Sequence, residues 1–398
     1  GARQRELAER TSTSTIPSRP PKSHHNVSAK DADKATFNSA MTLSLALPGD
    51  TVLYLLLPIH AAAFGVSLPE VGLLLAANRL VRIAGYSWVA NFYARKGPRA
   101  ACTLAAAGAA IAAATYATAT GVWLLLVARL IWGLSFAAMN IATHALPTSE
   151  TSGAARRSGW SRSLIAAGPA LGLLIGAVIA EFHGPRIVFA LLAAVALCAI
   201  PFASRLPSTP EDVVSSGPRF ARPGAISIWS FSMGLALDGL FIFGLALLAK
   251  ANLPEGGTVA AGVAMALRYV CEIVLSPVGG SISERLGARR LLVLLSFASA
   301  AGLMLIGLGG VSLWVGAIAV ITLRALLQPL PAPVVAEAFP GPARVPARAR
   351  QATWRDIGAG TGPLVAGFLF PVLPALVLYA GAAGLLAGSA LLVYRRAD

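Results

Sequence analysis

The chain has 398 residues, of which 56% are hydrophobic and 12% charged, with a mean hydropathy of +0.70. That balance lies far from the average soluble domain and indicates an integral membrane protein. A formal net charge of +15 invites a nucleic-acid reading, which the placement of the charge excludes.

Residues 1–36 are rich in Ser, Thr, Pro, Lys and Arg, a composition that builds no core, and read as a disordered cytoplasmic tail without the apolar middle of a signal peptide. From residue 37 onward, apolar runs of roughly 18–26 residues recur, each able to cross a hydrocarbon core of about 30 Å as a helix. The first, 37–64, carries Asp50 directly after the breaker pair Pro48-Gly49. The second, 69–93, sets Arg79, Arg82, Tyr86 and Tyr93 at helical spacing on one face, with Asn78 at its margin. Spans 100–118 and 121–146 follow, the latter with Arg129 inside it. Spans 161–181, with Gly168-Pro169, and 185–205 complete a first bundle of residues 37–206. A cytoplasmic linker of residues 207–224 leads to a second bundle, 225–398. Its spans are 225–249, with Asp238; 257–281, with Arg268 and Glu272; 288–309; 311–335, with Arg324; 354–370, with Asp356 and Gly362-Pro363; and 374–394. The runs show no period-2 alternation, so they read as helices and not as barrel strands. The predicted fold is all-α and integral to the membrane, with twelve transmembrane helices in two pseudo-symmetric six-helix bundles.

Charge fixes the orientation. Of 32 Lys and Arg, five fall inside predicted spans and two, Arg186 and Lys250, in loops on one side, which leaves 25 on the side that holds both termini. That side is cytoplasmic by the positive-inside rule, so the basic balance reports insertion, in a bacterial inner membrane, and no nucleic-acid partner. Cys102, Cys198 and Cys271 lie in separate apolar runs with no metal-ligand spacing, so neither a disulfide framework, a metal nor a cofactor is expected. The chain carries no HExxH, GxSxG or Walker A sequence, which argues against an enzyme and against direct use of ATP.

An internal repeat runs through the chain. "ANFYARKGPRA" from Ala90 lines up with "GSISERLGARR" from Gly280. Trp160 lines up with Trp354, each eight positions before a Gly-Pro pair, and in nearly the same register Arg129 falls on Arg324. Asp50 and Asp238 correspond approximately. Parallel six-helix repeats form a transporter architecture.

These segments resemble the signature of the major facilitator superfamily over nearly everything after the tail. Gly280, Glu284, Arg285, Gly287 and the Arg289/Arg290 pair look like the second copy of its loop motif, with Glu in place of Asp. The first copy keeps Arg95, Gly97 and Arg99 and has Ala94 where the acid belongs. "RLIWG" from Arg129 resembles the fourth-helix motif, and "GPALG" from Gly168 resembles part of the fifth-helix motif seen in antiporters. The resemblance implies that the loop cluster is a gating latch on the cytoplasmic side. Glu284 is then expected to face Arg162 or Arg157, and Arg95 to pair with Asp356, which supplies the acid that Ala94 lacks. Gly168-Pro169 and Gly362-Pro363 each remove a backbone hydrogen bond and thin the helix, and are expected to permit helix bending or close packing.

Ionisable groups at mid-membrane cost several kcal/mol and mark function or a structural pair. Asp50, Arg79, Arg82, Tyr86, Arg129, Asp238, Arg268, Glu272 and Arg324 are the candidate substrate and proton cavity. Asp50 also reads as a partner for Arg79 or Arg129, Arg268 as an i, i+4 neighbour neutralising Glu272, and Trp132, Trp229 and Phe243 as candidate lining. Five arginines against three acids favour an anionic or zwitterionic solute. The expected function is a monomeric secondary transporter that exports a small organic molecule by proton coupling. Proton-coupled uptake, or a receptor or scaffold on the same fold, is the alternative.

Overall fold

The computed structural model describes residues 29–150, 153–209, 222–339 and 344–395. The expectations for residues 1–28 and for most of the linker lie outside the described residues. Each long apolar run becomes a helix, because a backbone in lipid must satisfy its own hydrogen bonds. In the first half, α1 is Ala29–Ala46 and Pro48–Ile59, α2 is 68–96, α3 is 98–118, α4 is Val122–Ala145, α5 is Ala154–His183, and α6 is Pro185–Leu197 with Ile200–Ser204. In the second half, α7 is Ala225–Met233, Gly234–Leu240 and Phe241–Asn252; α8 is Gly257–Leu286; α9 is Ala288–Leu308; α10 is Gly310–Leu327 with Pro331–Ala338; α11 is Arg344–Leu369; α12 is Ala375–Arg395.

Local sequence explains the joints. Ser67 and Glu70 cap α2 reciprocally, the Ser67 N–H donating to Glu70 Oε2 at 2.7 Å, with Pro69 in the first turn. Gly97, at φ 80°, separates α2 from α3, and Pro98 opens the new helix. Gly287, at φ 85°, does the same between α8 and α9, at the equivalent position of the repeat. A side chain is strained at such angles, so the loop motif keeps its glycine in both copies. Ten helical runs are long and apolar enough to cross a membrane among the described residues. One of them, Leu68–Thr118, is α2 plus α3, and α11 is the twelfth crossing, its polar start lowering its hydropathy.

Two boundaries differ from expectation. Residues 29–36 belong to α1 and not to the tail: Ala32, Ala35 and Thr36 are buried, and Asp33 pairs with Arg156 at 3.1 Å and Arg157 at 3.7 Å on α5. Helix α11 starts at Arg344 instead of 354: "RVPARARQAT" is helical and packs through Ala347 and Gln351, and Gln351 Nε2 donates to Ser230 Oγ at 2.8 Å. A segment with one small buried face has no apolar run to betray it.

Within each half, the fifth helix lies against the first. Gly168 of α5 sits directly on the Ser44 carbonyl of α1, and a Cβ on Gly362 of α11 would lie 2.5 Å from the Leu235 carbonyl oxygen of α7. Both helices run on through Pro169 and Pro363, and the glycine of each Gly-Pro pair serves close packing. The halves meet through α2 against α11 and α5 against α8. The outer face carries exposed apolar side chains such as Leu104, Trp123 and Val311, the surface that lipid solvates.

Candidate functional site: a central cavity lined by arginines

The first helix of each half is distorted beside its acid. Helix α1 turns at Leu47, which puts Asp50 in the first turn of its second segment, and α7 widens into a π turn at Gly234–Leu240 around Asp238. Each acid bonds the arginine of the fourth helix in its own half. Asp50 Oδ1 accepts from Arg129 Nη1 and from Asn78 Nδ2 at 3.2 Å. Arg129 is fully buried, donates from Nε to the Leu74 carbonyl at 2.9 Å and lies over the Tyr54 ring at 5.4 Å. In the second half, Asp238 Oδ1 accepts from Arg324 Nε at 2.6 Å and Arg268 Nη2 at 2.8 Å, while Oδ2 accepts from Arg355 Nε at 3.0 Å.

Arg268 and Glu272 do not form the i, i+4 pair expected of them. Glu272 instead accepts from the Arg324 guanidinium at 3.1 Å and the Gln328 amide at 3.2 Å on α10, while Arg268 donates to Asp238. Trp132, Trp229 and Phe243 are packed in the helix core and do not line the cavity; Phe136, Tyr54 and Tyr269 do.

Asp356 bonds neither Arg95 nor any other part of the loop motif. Between Arg344 and Asp356 the helix rises about 18 Å, at about 1.5 Å per residue, so Asp356 reaches mid-membrane. There it accepts from Arg82 at 2.9 Å and Arg79 at 3.4 Å on α2. The other expected latch contact is likewise not made. Glu284 and Arg285 are exposed, Arg162 meets His144 at 3.2 Å, and Arg157 donates to the Pro147 carbonyl at 2.9 Å. Gly280 faces open space, and the glycine that packs is its neighbour Gly279, against Leu326. The physical reason is the state of the molecule, whose halves stand apart at this end.

Between the halves lies a cavity of about 650 Å³, within the usual range for a small-molecule site. It runs from Asp50 and Asp238 at mid-depth to His144, Arg162 and Arg348 at the end of the bundle where α1 begins and α12 ends. Asp50, Arg79, Arg82, Tyr86, Asp238, Arg268 and Arg324 all line it, whereas Arg129 stands behind Asp50. The far end is shut. Lys250 Nζ of α7 meets Glu181 Oε1 of α5 at 3.3 Å, and the Gly256 N–H donates to the same oxygen at 3.0 Å. Just inside, Gly72 of α2 touches Leu364 and Gly367 of α11. His60 stands beside this closure, its imidazole held below the ordinary pKa by burial and then by Lys250.

Sequence reasoning missed Arg348, which falls outside a span begun at 354, and Arg355, which counts there as a cytoplasmic charge at the edge of the span. The signal was available: "RARQATWRD" places Ala347, Gln351, Trp354 and Arg355 at helical spacing, continuous with the apolar run. With them, seven arginines and three aspartates line the cavity, an excess of +4.

The family model described as Major Facilitator Superfamily matches residues 39–249, more than half of the chain. No curated protein sequence matches. Among solved structures, a D-xylose–proton symporter superposes with a TM-score of 0.68 at 15% identity, covering 90% of this chain and 97% of its own. The nucleoside transporter NupG, in a single-residue variant, superposes with a TM-score of 0.72 at 14% identity, covering 91% and 98%.

Proposed function

The chain belongs to the Major Facilitator Superfamily, and from that premise we propose that it is a proton-coupled secondary transporter of a small organic anion or zwitterion, working by alternating access. The observation that carries the substrate class is the cavity wall, with seven arginines facing three aspartates. In a medium of low dielectric an excess of guanidiniums attracts an anion and repels a lone cation. The closed far end and the open end beside the termini support alternating access. With both termini in the cytoplasm, as the positive-inside rule has it, the cavity here faces inward.

Of the two acids beside the distorted helices, Asp50 is the better proton carrier. Protonating Asp238 takes a carboxylate from three guanidiniums at once, of which only Arg324 keeps another, Glu272, whereas protonating Asp50 frees one. Direction is the finer question. The Gly168-Pro169 motif on its own suggests export, but the same packing contact recurs at Gly362-Pro363, so it favours neither direction. Uptake by symport is the second reading, favoured by the fold shared with the D-xylose–proton symporter.

The test is flux in proteoliposomes under an imposed pH gradient, with a panel of organic anions, zwitterions and cations. Accumulation of anions or zwitterions alone supports the proposal, and the sign of the response to the gradient separates export from uptake. Asp50→Asn should abolish the pH dependence while membrane insertion persists. Accumulation of cations refutes the substrate class, and unchanged pH dependence in that variant removes Asp50 from the coupling.

A further inference from the structure

Among the described residues, two ion-paired clusters join the halves: Lys250 with Glu181 at the shut end, and Asp356 with Arg79 and Arg82 inside the cavity. The second has an unusual make-up. Arg79 and Arg82 are three residues apart on α2 and both donate to one oxygen, Asp356 Oδ1, which comes from α11 in the other half. The Arg82 guanidinium is further fixed by the Phe136 ring, 4.7 Å below it. Two guanidiniums that converge on one point form a carboxylate or phosphate site. Here a carboxylate of the protein itself stands at that point.

Asp356 is also the most exposed of the three cavity-lining aspartates. Its side chain is 40% accessible, against 13% for Asp50 and 5% for Asp238. The other two are locked, Asp50 by a fully buried arginine and an amide, and Asp238 by three arginines. Only the Asp356 carboxylate can leave its guanidiniums by a side-chain rotation into open cavity.

We propose that Asp356 is a tethered stand-in for the anionic group of the substrate: it neutralises Arg79 and Arg82 in the empty carrier and is displaced from them when an anion binds. The proposal rests on the reading of the protein as an anion transporter. Displacement breaks the cross-half cluster inside the cavity, so that loading releases α11 from α2 while the arginines stay neutralised throughout. The empty carrier, with Asp356 back in place, exposes no bare cation pair and returns without a counter-anion. A cavity with the arginines alone would instead need an anion on each passage.

The experiment is isothermal titration of the purified full-length protein in detergent with inorganic phosphate and, separately, with succinate. Removing the stand-in in Asp356→Asn should tighten binding roughly tenfold, the worth of a charge-assisted hydrogen bond no longer competed for, and adding Arg82→Gln should abolish the gain. Asp356→Ser makes the same test should the asparagine variant fail to fold. Unchanged or weaker binding in both Asp356 variants, with wild-type binding still lost in Arg82→Gln, overturns the stand-in and leaves the anion cavity intact. No Arg82-dependent binding of either probe in any variant overturns the anion reading together with it.

Discussion

Replacing Asp238 by asparagine removes one negative charge from among three guanidiniums. The carboxylate is 5% accessible, with donors Arg324 at 2.6 Å, Arg268 at 2.8 Å and Arg355 at 2.9 Å, themselves 4%, 15% and 26% accessible. Three charge-assisted hydrogen bonds at about 1.5–3 kcal/mol each give a gross loss of roughly 5–9 kcal/mol. The asparagine carbonyl keeps part of that, and Arg355, a quarter exposed, recovers water. The net cost should therefore be about 3–5 kcal/mol, the usual result of stranding one side of a buried ion cluster. At roughly 2–4 °C per kcal/mol, or less for a chain of this size, the thermal midpoint in detergent should fall by about 5–10 °C. Asp50→Asn, which strands a single guanidinium, should fall by less. Adding Arg324→Gln to Asp238→Asn should restore part of the loss, because the stranded charge is then removed. A midpoint within about 2 °C of wild type for Asp238→Asn, or a larger fall for Asp50→Asn, refutes the reasoning that the three-arginine cluster depends on Asp238.

Gly362→Ala places a methyl 2.5 Å from the Leu235 carbonyl oxygen and should cost about 1–3 kcal/mol by forcing α7 and α11 apart, measured as a lower thermal midpoint; a neutral result contradicts the close approach. Lys250→Met removes an ion pair that is 35% and 18% accessible and worth about 0–1 kcal/mol, so open far ends should rise by up to about fivefold. Spin labels at Ala62 and Glu255 measure that change as a longer distance component, and an unchanged distribution refutes the gating role. Deleting residues 29–36 should prevent stable folding, since Ala32, Ala35 and Thr36 are buried, whereas Asp33→Asn should cost at most about 1 kcal/mol in a thermal melt. Equal, small effects of the two changes would mean that the first turns of α1 are not packed.

The crossings were legible because a membrane span must be apolar over its length, and the break at Gly97 was legible because it sits next to Pro98 inside the basic cluster Arg95, Lys96 and Arg99. The first two turns of α1 and the first three of α11 were not, since each buries only a few small residues on one face while the rest is charged. That single error moved the site: with α11 started at 354, Asp356 looked like a helix cap and Arg95 its natural partner. The repeat set Asp50 beside Asp238 and Arg129 beside Arg324, and Arg129 stood with Arg79 as a candidate partner for Asp50, yet sequence alone neither chose between the two nor paired Asp238 with Arg324. Pairing between helices depends on rotation and depth to within an ångström or two, which neither periodicity nor hydropathy encodes. The i, i+4 rule for Arg268 and Glu272 failed for a related reason, because it describes an isolated helix in water and here stronger donors stood on the next helix.

The repeat also shows where the cavity gains its charge. In the register that aligns the loop motifs, Ala90 on Gly280, Asn78 falls on Arg268, and both do the same work, Asn78 donating to Asp50 at 3.2 Å and Arg268 to Asp238 at 2.8 Å. The scaffold of acid, α2 or α8 donor and α4 or α10 arginine is therefore common to both halves, while an amide in one is a guanidinium in the other. Further along the same helices Arg82 falls on Glu272, and in the register that aligns Trp160 with Trp354, Arg162 falls on Asp356, so the signs are inverted between the halves. A perfectly symmetric cavity would set like charge against like across α2 and α11. Inversion instead gives Arg82 a carboxylate in the opposite half and leaves Arg162 and Arg348 at the open end with no carboxylate partner among the described residues. An anion entering there meets those two first and the Arg79–Arg82 pair deeper in, a gradient of positive potential that ends at the one cavity acid free to move aside.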